Sequence, residues 1–134
     1  MLVGFECLIA IISLLVIGFG DPGIVKRTPA STNPIPKDVA ERLRAGEGLE
    51  GLQNFVDESR GVYCVKCCVW RPRNAVHCTT CRRCCRDHDH HCGFYGRCIA
   101  KKNLTCFFAV GPAGWAAIVT CIVFAALALA PPIR

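Results

Sequence analysis

Charge is scarce in this chain of 134 residues: Asp, Glu, Lys and Arg make up 19% of it, against about 25% in an ordinary soluble domain. The deficit lies at the two ends. Residues 107–130 carry no charged side chain, and residues 2–20 are apolar apart from Glu6 and Ser13. So much apolar chain excludes disorder as the main theme. A soluble fold is excluded on size, because a chain this short cannot wrap two all-apolar helices. Two further absences narrow the choice. The first run has no basic segment ahead of it and exceeds a usual signal-peptide core, which argues against a cleaved secretory leader. The C-x2-C then H-x3-H spacing of nucleic-acid-binding fingers is also missing, so no nucleic-acid partner is expected.

At 1.5 Å per residue the two apolar runs reach roughly 28 and 36 Å as helices, enough for a hydrocarbon core about 30 Å thick. Both read as transmembrane helices, at 2–20 and 107–130. Fifteen of the sixteen Lys and Arg residues lie between them, which places the intervening loop in the cytosol and both flanks on the other side. The cytosol is reducing, so the twelve cysteines are expected as thiolates on metal rather than as disulfides. Residues 21–62, rich in Pro, Gly and polar side chains, read as a linker. A short helix is expected over residues 38–45, with Val39 and Leu43 on one face and Gly46, Gly48 and Gly51 ending it. Residues 63–106 form the cysteine-rich part.

All four histidines and nine cysteines fall between Cys64 and Cys98. A shift of fourteen residues maps Cys64, Cys67, His77 and Cys84 onto Cys78, Cys81, His91 and Cys98. Each set reads C-x2-C-x9-H-x6-C, three thiolates and one imidazole, the donor set of a closed structural zinc site. The sets interleave along the chain, so two ions would share one knot of backbone and supply folding energy that a small core cannot. Each filled site carries a charge of −1, bringing the formal +6 to about +4. A disulfide cluster gives the histidines no role, and the same histidines disfavour iron–sulfur. A sequential sharing, with Cys64, Cys67, Cys78 and Cys81 on one ion, stays open on spacing alone.

Cys68, Cys85, Cys92, His88 and His90 are left over. Cys92 directly follows the expected ligand His91. With Asp89 and His90 it supplies a nucleophile, a base and an orienter. A free thiol is only a few percent ionised near neutrality; an imidazolium partner and the basic neighbours Arg86 and Arg97 would favour the thiolate. Cys68 and Cys85 have no acid or base pattern beside them and read as spare thiols or minor structural residues.

The run Asp89-His90-His91-Cys92 and the cysteines before it resemble the DHHC-type protein S-acyltransferases, or palmitoyltransferases. The resemblance covers residues 63–107, including Asn103 and Phe107, and Asp21-Pro22-Gly23 looks like the family's DPG motif. It implies a fold of two transmembrane helices flanking a small, irregular cytosolic cysteine-rich domain with two interleaved Cys3His zinc sites. It also implies transfer of a palmitoyl group from palmitoyl-CoA to protein cysteines through a Cys92 acyl-enzyme, with His90 as base, Asp89 orienting it and His91 on zinc. The partners implied are the bilayer, palmitoyl-CoA, and cytosolic or membrane proteins with accessible cysteines; the location implied is endomembranes (Golgi or ER) or plasma membrane. Lys101 and Lys102 are expected at the membrane edge, as interfacial anchors or near CoA phosphates. Gly93-Phe94 stands where the family usually has Pro-Trp, and Gly96-Arg97 where it has Asn-Asn. The family's first and fourth spans and its TTxE motif have no counterpart, so the chain is expected to be a fragment or truncated member. A non-catalytic, membrane-anchored zinc module that binds target proteins or a partner subunit is the alternative.

Overall fold

The computed structural model describes residues 2–129. Two compact units make up the chain, Asp21–Lys102 and the helical segments that flank it in sequence. In the helical unit, α1 (Leu2–Phe19) buries Ser13 and Ile17. Its Glu6 Oε2 lies 3.2 Å from the Thr120 hydroxyl of α4 (Lys101–Leu129). Among the described residues, α4 alone is long and apolar enough to cross a membrane; Gly4–Phe19 is a shorter apolar helix. The helix expected from residue 107 thus starts at Lys101, because the polar Lys101-Lys102-Asn103 step forms its first turn.

Asp21–Lys102 begins with a turn built by one carboxylate. Asp21 Oδ1 accepts from the N–H groups of Gly23 (2.9 Å) and Ile24 (2.8 Å), the Asx geometry that short acidic side chains favour. Gly23 takes φ +121° and packs its backbone against Arg86, whose N–H donates to Gly23 O at 2.9 Å. A short α2 (Pro29–Thr32) is capped by Thr28 and Ser31. The expected helix is present as α3 (Lys37–Ala45); Gly46 closes it in the left-handed conformation at φ 72°, as helix C-termini require.

The segment expected to be an irregular knot is ordered as three antiparallel sheets. Strands β1 (Phe55–Asp57), β2 (Gly61–Cys64) and β3 (Val69–Arg71) form the first. Strands β4 (Ala75–Cys78) and β5 (Arg83–Arg86) form the second, and β6 (His88–Cys92) and β7 (Arg97–Ala100) the third. The hairpins β2–β3, β4–β5 and β6–β7 repeat with one register: Cys64 faces Val69, Cys78 faces Arg83 and Cys92 faces Arg97. Each loop carries one left-handed residue at the same place, Cys68 (φ 51°), Arg82 (φ 52°) and Gly96 (φ 63°).

The core is small and made partly of cysteine. One cluster joins Val25, Val69 and Ala75 to Cys64 and Cys84; a second joins Cys85 and Ala100 to Cys78 and Cys98. A third packs Val39, Tyr63 and Val65 with Leu49, Leu52, Phe55 and Trp70, Tyr63 and Trp70 meeting edge to face at 5.2 Å. Ile24, Val25, Val39, Leu49, Leu52 and Phe55 belong to the stretch read as a linker, which is therefore partly built into the domain.

Candidate metal centres and active site

The hairpin register explains how ligands converge. Cys64 and Cys67 flank the β2–β3 turn, while His77 and Cys84 sit opposite each other across β4–β5. Cys78 and Cys81 flank the next turn, and His91 and Cys98 sit opposite each other across β6–β7. Each of the first two hairpins thus offers a turn pair to the next hairpin's cross-strand pair. Within each set the donor atoms all lie within 4.8 Å of one another.

Distances test the fit to zinc. His77 Nδ1 lies 3.6, 3.1 and 3.9 Å from the sulfurs of Cys64, Cys67 and Cys84. His91 Nδ1 lies 3.6, 3.3 and 4.0 Å from those of Cys78, Cys81 and Cys98. A tetrahedron with Zn–S about 2.3 Å and Zn–N about 2.0–2.1 Å has S···N edges of about 3.6 Å, which both sets straddle. The grouping is the interleaved one; the sequential sharing of Cys64, Cys67, Cys78 and Cys81 is not seen. All twelve cysteines are free of disulfides.

Electrostatics also call for a cation. Hydrogen bonding from Cys84 holds the Cys64 thiol down to about 5, and the thiolate so formed pushes Cys84 up. Burial and the Cys64 charge raise Cys67. In the second set burial opposes ionisation of Cys78, but the Cys81 N–H, the Cys98 thiol and the Thr80 N–H outweigh it and bring it to about 7. Burial, then Cys81 and Cys78, raise Cys98. Each metal-free set thus favours one thiolate, Cys64 or Cys78, and holds another thiol protonated, Cys84 or Cys98, whereas a dication lets all three ionise. The domain is a cysteine-rich fold with two Cys3His zinc-binding sites.

Cys92 belongs to neither set. Along β6 side chains alternate between faces, so His91 turns to its cluster while His90 and Cys92 share the other face. A register shift between His88 and His90 is the extra residue of a bulge, and it brings Asp89 beside His90. Asp89 Oδ2 lies 2.7 Å from His90 Nδ1, and the side chains of His90 and Cys92 are hydrogen-bonded. The Tyr95 N–H, then the His90 side chain and the Phe94 N–H, hold the Cys92 thiol below its ordinary value despite some burial. Asp89, followed by Cys92, raises His90. Phe94, at the hairpin tip, is 90% exposed and stacks edge to face on Tyr95 at 5.0 Å.

Cys85, Cys68, His88 and Lys102 lie outside both donor sets. Cys85 is fully buried, and burial, then the Asp21 charge, push its thiol up to about 11. Cys68 packs on the Val39–Tyr63–Val65 cluster, its sulfur 3.4 Å from Val65 O. Burial lowers His88. Lys102 Nζ lies 4.0 Å from Asp21 Oδ2. Missing from the sequence reading was the third copy of the repeat: Cys92 occupies the hairpin position of Cys64 and Cys78. A second shift by fourteen would have found it.

Comparison with known proteins agrees with this architecture. The family model described as DHHC palmitoyltransferase matches residues 57–133, and the chain belongs to that family. Palmitoyltransferase ZDHHC18-B of Danio rerio is 33% identical over 105 residues, covering 73% of this chain and 27% of the relative. Palmitoyltransferase ERF2 of Candida glabrata is 30% identical over 89 residues, covering 66% and 27%. Palmitoyltransferase ZDHHC9 of Homo sapiens is 30% identical over 115 residues, covering 75% and 30%. The chain spans about a quarter to a third of the length of these relatives.

Proposed function

We propose that this chain is the core of a protein S-palmitoyltransferase acting through an acyl-enzyme on Cys92. The observation that carries the reading is the geometry of β6: Asp89 on His90 Nδ1, and His90 hydrogen-bonded to a Cys92 that lies outside both zinc clusters. Asp89 fixes the imidazole tautomer, leaving Nε2 to take the thiol proton. Cys92 sulfur attacks the thioester carbonyl of palmitoyl-CoA, the bond to the CoA sulfur breaks, and His90 returns the proton to the departing CoA thiolate. A target cysteine then attacks the Cys92 thioester, passes its proton to His90, and leaves with the acyl group. Cys92 is regenerated as the thiol.

Cys64, Cys67, His77 and Cys84 would hold one zinc, and Cys78, Cys81, His91 and Cys98 the other. Their contribution is to fix the hairpins, and with them the strand that carries Cys92. In this reading 63–106 is the zinc-binding catalytic domain and 21–62 the DPG motif with its linker. Residues 2–20 and 107–130 are the two membrane spans. The distribution of Lys and Arg supports a cytosolic face for the domain, and the family supports placement in endomembranes or plasma membrane. An acyl chain would then lie among helices and the CoA in water, with cytosolic or membrane protein thiols as acceptors.

The test is incubation of the detergent-solubilised chain with a traceable palmitoyl-CoA analogue, with zinc counted in parallel. Hydroxylamine-labile label on the natural chain and none on Cys92→Ser, with two zinc ions in each, is the expected result. No label on a chain that binds two zinc ions would overturn the catalytic reading and leave the non-catalytic zinc module.

A further inference from the structure

The hairpin whose turn carries Cys92 is built like the two whose turns carry a pair of zinc-site cysteines. Cys64, Cys78 and Cys92 occupy one register position in three successive hairpins. The left-handed residue follows four positions later in each, at Cys68, Arg82 and Gly96. The backbone treats the sulfurs alike. Cys81 N–H donates to Cys78 sulfur at 3.3 Å, and Thr80 N–H assists it. Tyr95 and Phe94 N–H groups, fourteen residues on, do the same for Cys92. In the first two hairpins this turn presents a sulfur to a metal cluster. In the third, the positions matching the other three ligands are Tyr95, Thr105 and Pro112, none a zinc-type donor. A replacement donor is nevertheless in place, because His90 shares the strand face of Cys92 and is hydrogen-bonded to it. The site is open, with the His90 side chain 40% exposed and Cys92 half-buried.

We propose that the Cys92 turn is a third metal-binding knuckle reduced to two protein ligands, Cys92 and His90, which reversibly takes a thiophilic divalent cation such as Zn2+. Binding displaces the thiol proton to solvent and forms a metal–sulfur bond, with water completing the shell. Two ligands instead of four make it weaker than the closed sites, so it fills only when free Zn2+ rises and empties when Zn2+ falls. While filled, it withholds the Cys92 sulfur from any electrophile. The site shares its residues with the proposed acyl transfer, but it is tested without an acyl donor, so either reading can fail without the other.

The experiment uses the full chain in detergent, carrying its two structural zinc ions. Alkylation of Cys92 by iodoacetamide is followed by peptide mass spectrometry while Zn2+ is added in excess. We expect added Zn2+ to slow alkylation at Cys92, and a mild chelator that leaves the two structural ions in place to restore it. His90→Ala raises the Zn2+ concentration needed by about tenfold or more. Tyr95→Cys, which restores the second thiolate of the turn, lowers it by a similar factor and raises the zinc count from two to three. A Cys92 alkylation rate indifferent to Zn2+ in the natural chain overturns the proposal, as does an unchanged Zn2+ dependence in His90→Ala.

Discussion

The interleaved ligand sets make a prediction that single substitutions would not separate from simpler arrangements, but paired substitutions do. Closed structural zinc sites bind with an apparent free energy of about 10–16 kcal/mol, so each of four ligands accounts for about 3 kcal/mol, or about a hundredfold in zinc affinity. Cys67 and Cys84 belong to one cluster, whereas Cys67 and Cys81 belong to different ones. Cys67→Ser with Cys84→Ser strips two ligands from one site, costs about 6 kcal/mol there and leaves one zinc per chain. Cys67→Ser with Cys81→Ser takes one ligand from each site. Both ions are then weakened about a hundredfold, and both are lost to a chelator chosen to spare the natural chain. The assay is zinc released per chain against chelator concentration, with each single variant as reference and additivity judged between the separated sites. A Cys67/Cys81 double variant that gave up one ion and kept the other at natural affinity would refute the interleaved partition.

Other predictions bear on the proposed acyl-enzyme and on the backbone. His90→Ala should slow acylation of Cys92 by about 10²–10⁴-fold, the usual worth of a general base, with both zinc ions retained on counting. Gly61 sits at φ +95° with its backbone against Arg71 O, so an added Cβ meets carbonyl oxygen in a strained conformation. Gly61→Ala should therefore destabilise the domain by about 2 kcal/mol or more in denaturant melts. Gly93 has no heavy atom near a built Cβ, and Gly93→Ala should stay within about 0.5 kcal/mol of the natural chain. Asp21→Ala removes the acceptor of two backbone N–H groups and should cost about 1 kcal/mol; Asp21→Asn, which keeps an acceptor oxygen, should recover most of it.

Zinc-type residues were legible in the sequence because their chemistry is confined to two side chains, whose spacing survives any folding of the intervening chain. The end of α3 was legible for a similar reason, since Gly46 takes a conformation that few other residues tolerate. The strands were not legible. They are three to five residues long, and buried positions are shared between apolar residues such as Tyr63, Val69 and Ala75 and the cysteines Cys64, Cys78, Cys84 and Cys98, so no run of apolar alternation marks them. The start of α4 was missed because hydropathy stops at Phe107, whereas the helix takes up its polar first turn at Lys101. Val25 and Phe55 stand in apolar pairs too short to mark an element, Ile24-Val25 and Phe55-Val56, and only their packing beside Cys64 and Tyr63 shows them as core. The bulge that sets Asp89 beside His90 depends on pairing with β7, a tertiary fact that local sequence does not carry.

The relay of ligands from one hairpin to the next also orders assembly in time. Each of the first two hairpins brings a turn pair that waits for the cross-strand pair of its successor, so the first cluster is complete in sequence at Cys84, before His91 and Cys98 are needed by the second. Both closures span the same short stretch of chain, so neither is delayed by a long search. As the polypeptide emerges during synthesis, metal loading can run from the amino-terminal hairpin toward the carboxy-terminal one. The strand bearing Cys92 is then the last to be pinned, and its thiol meets His90 and its backbone donors only when the scaffold behind it is already closed.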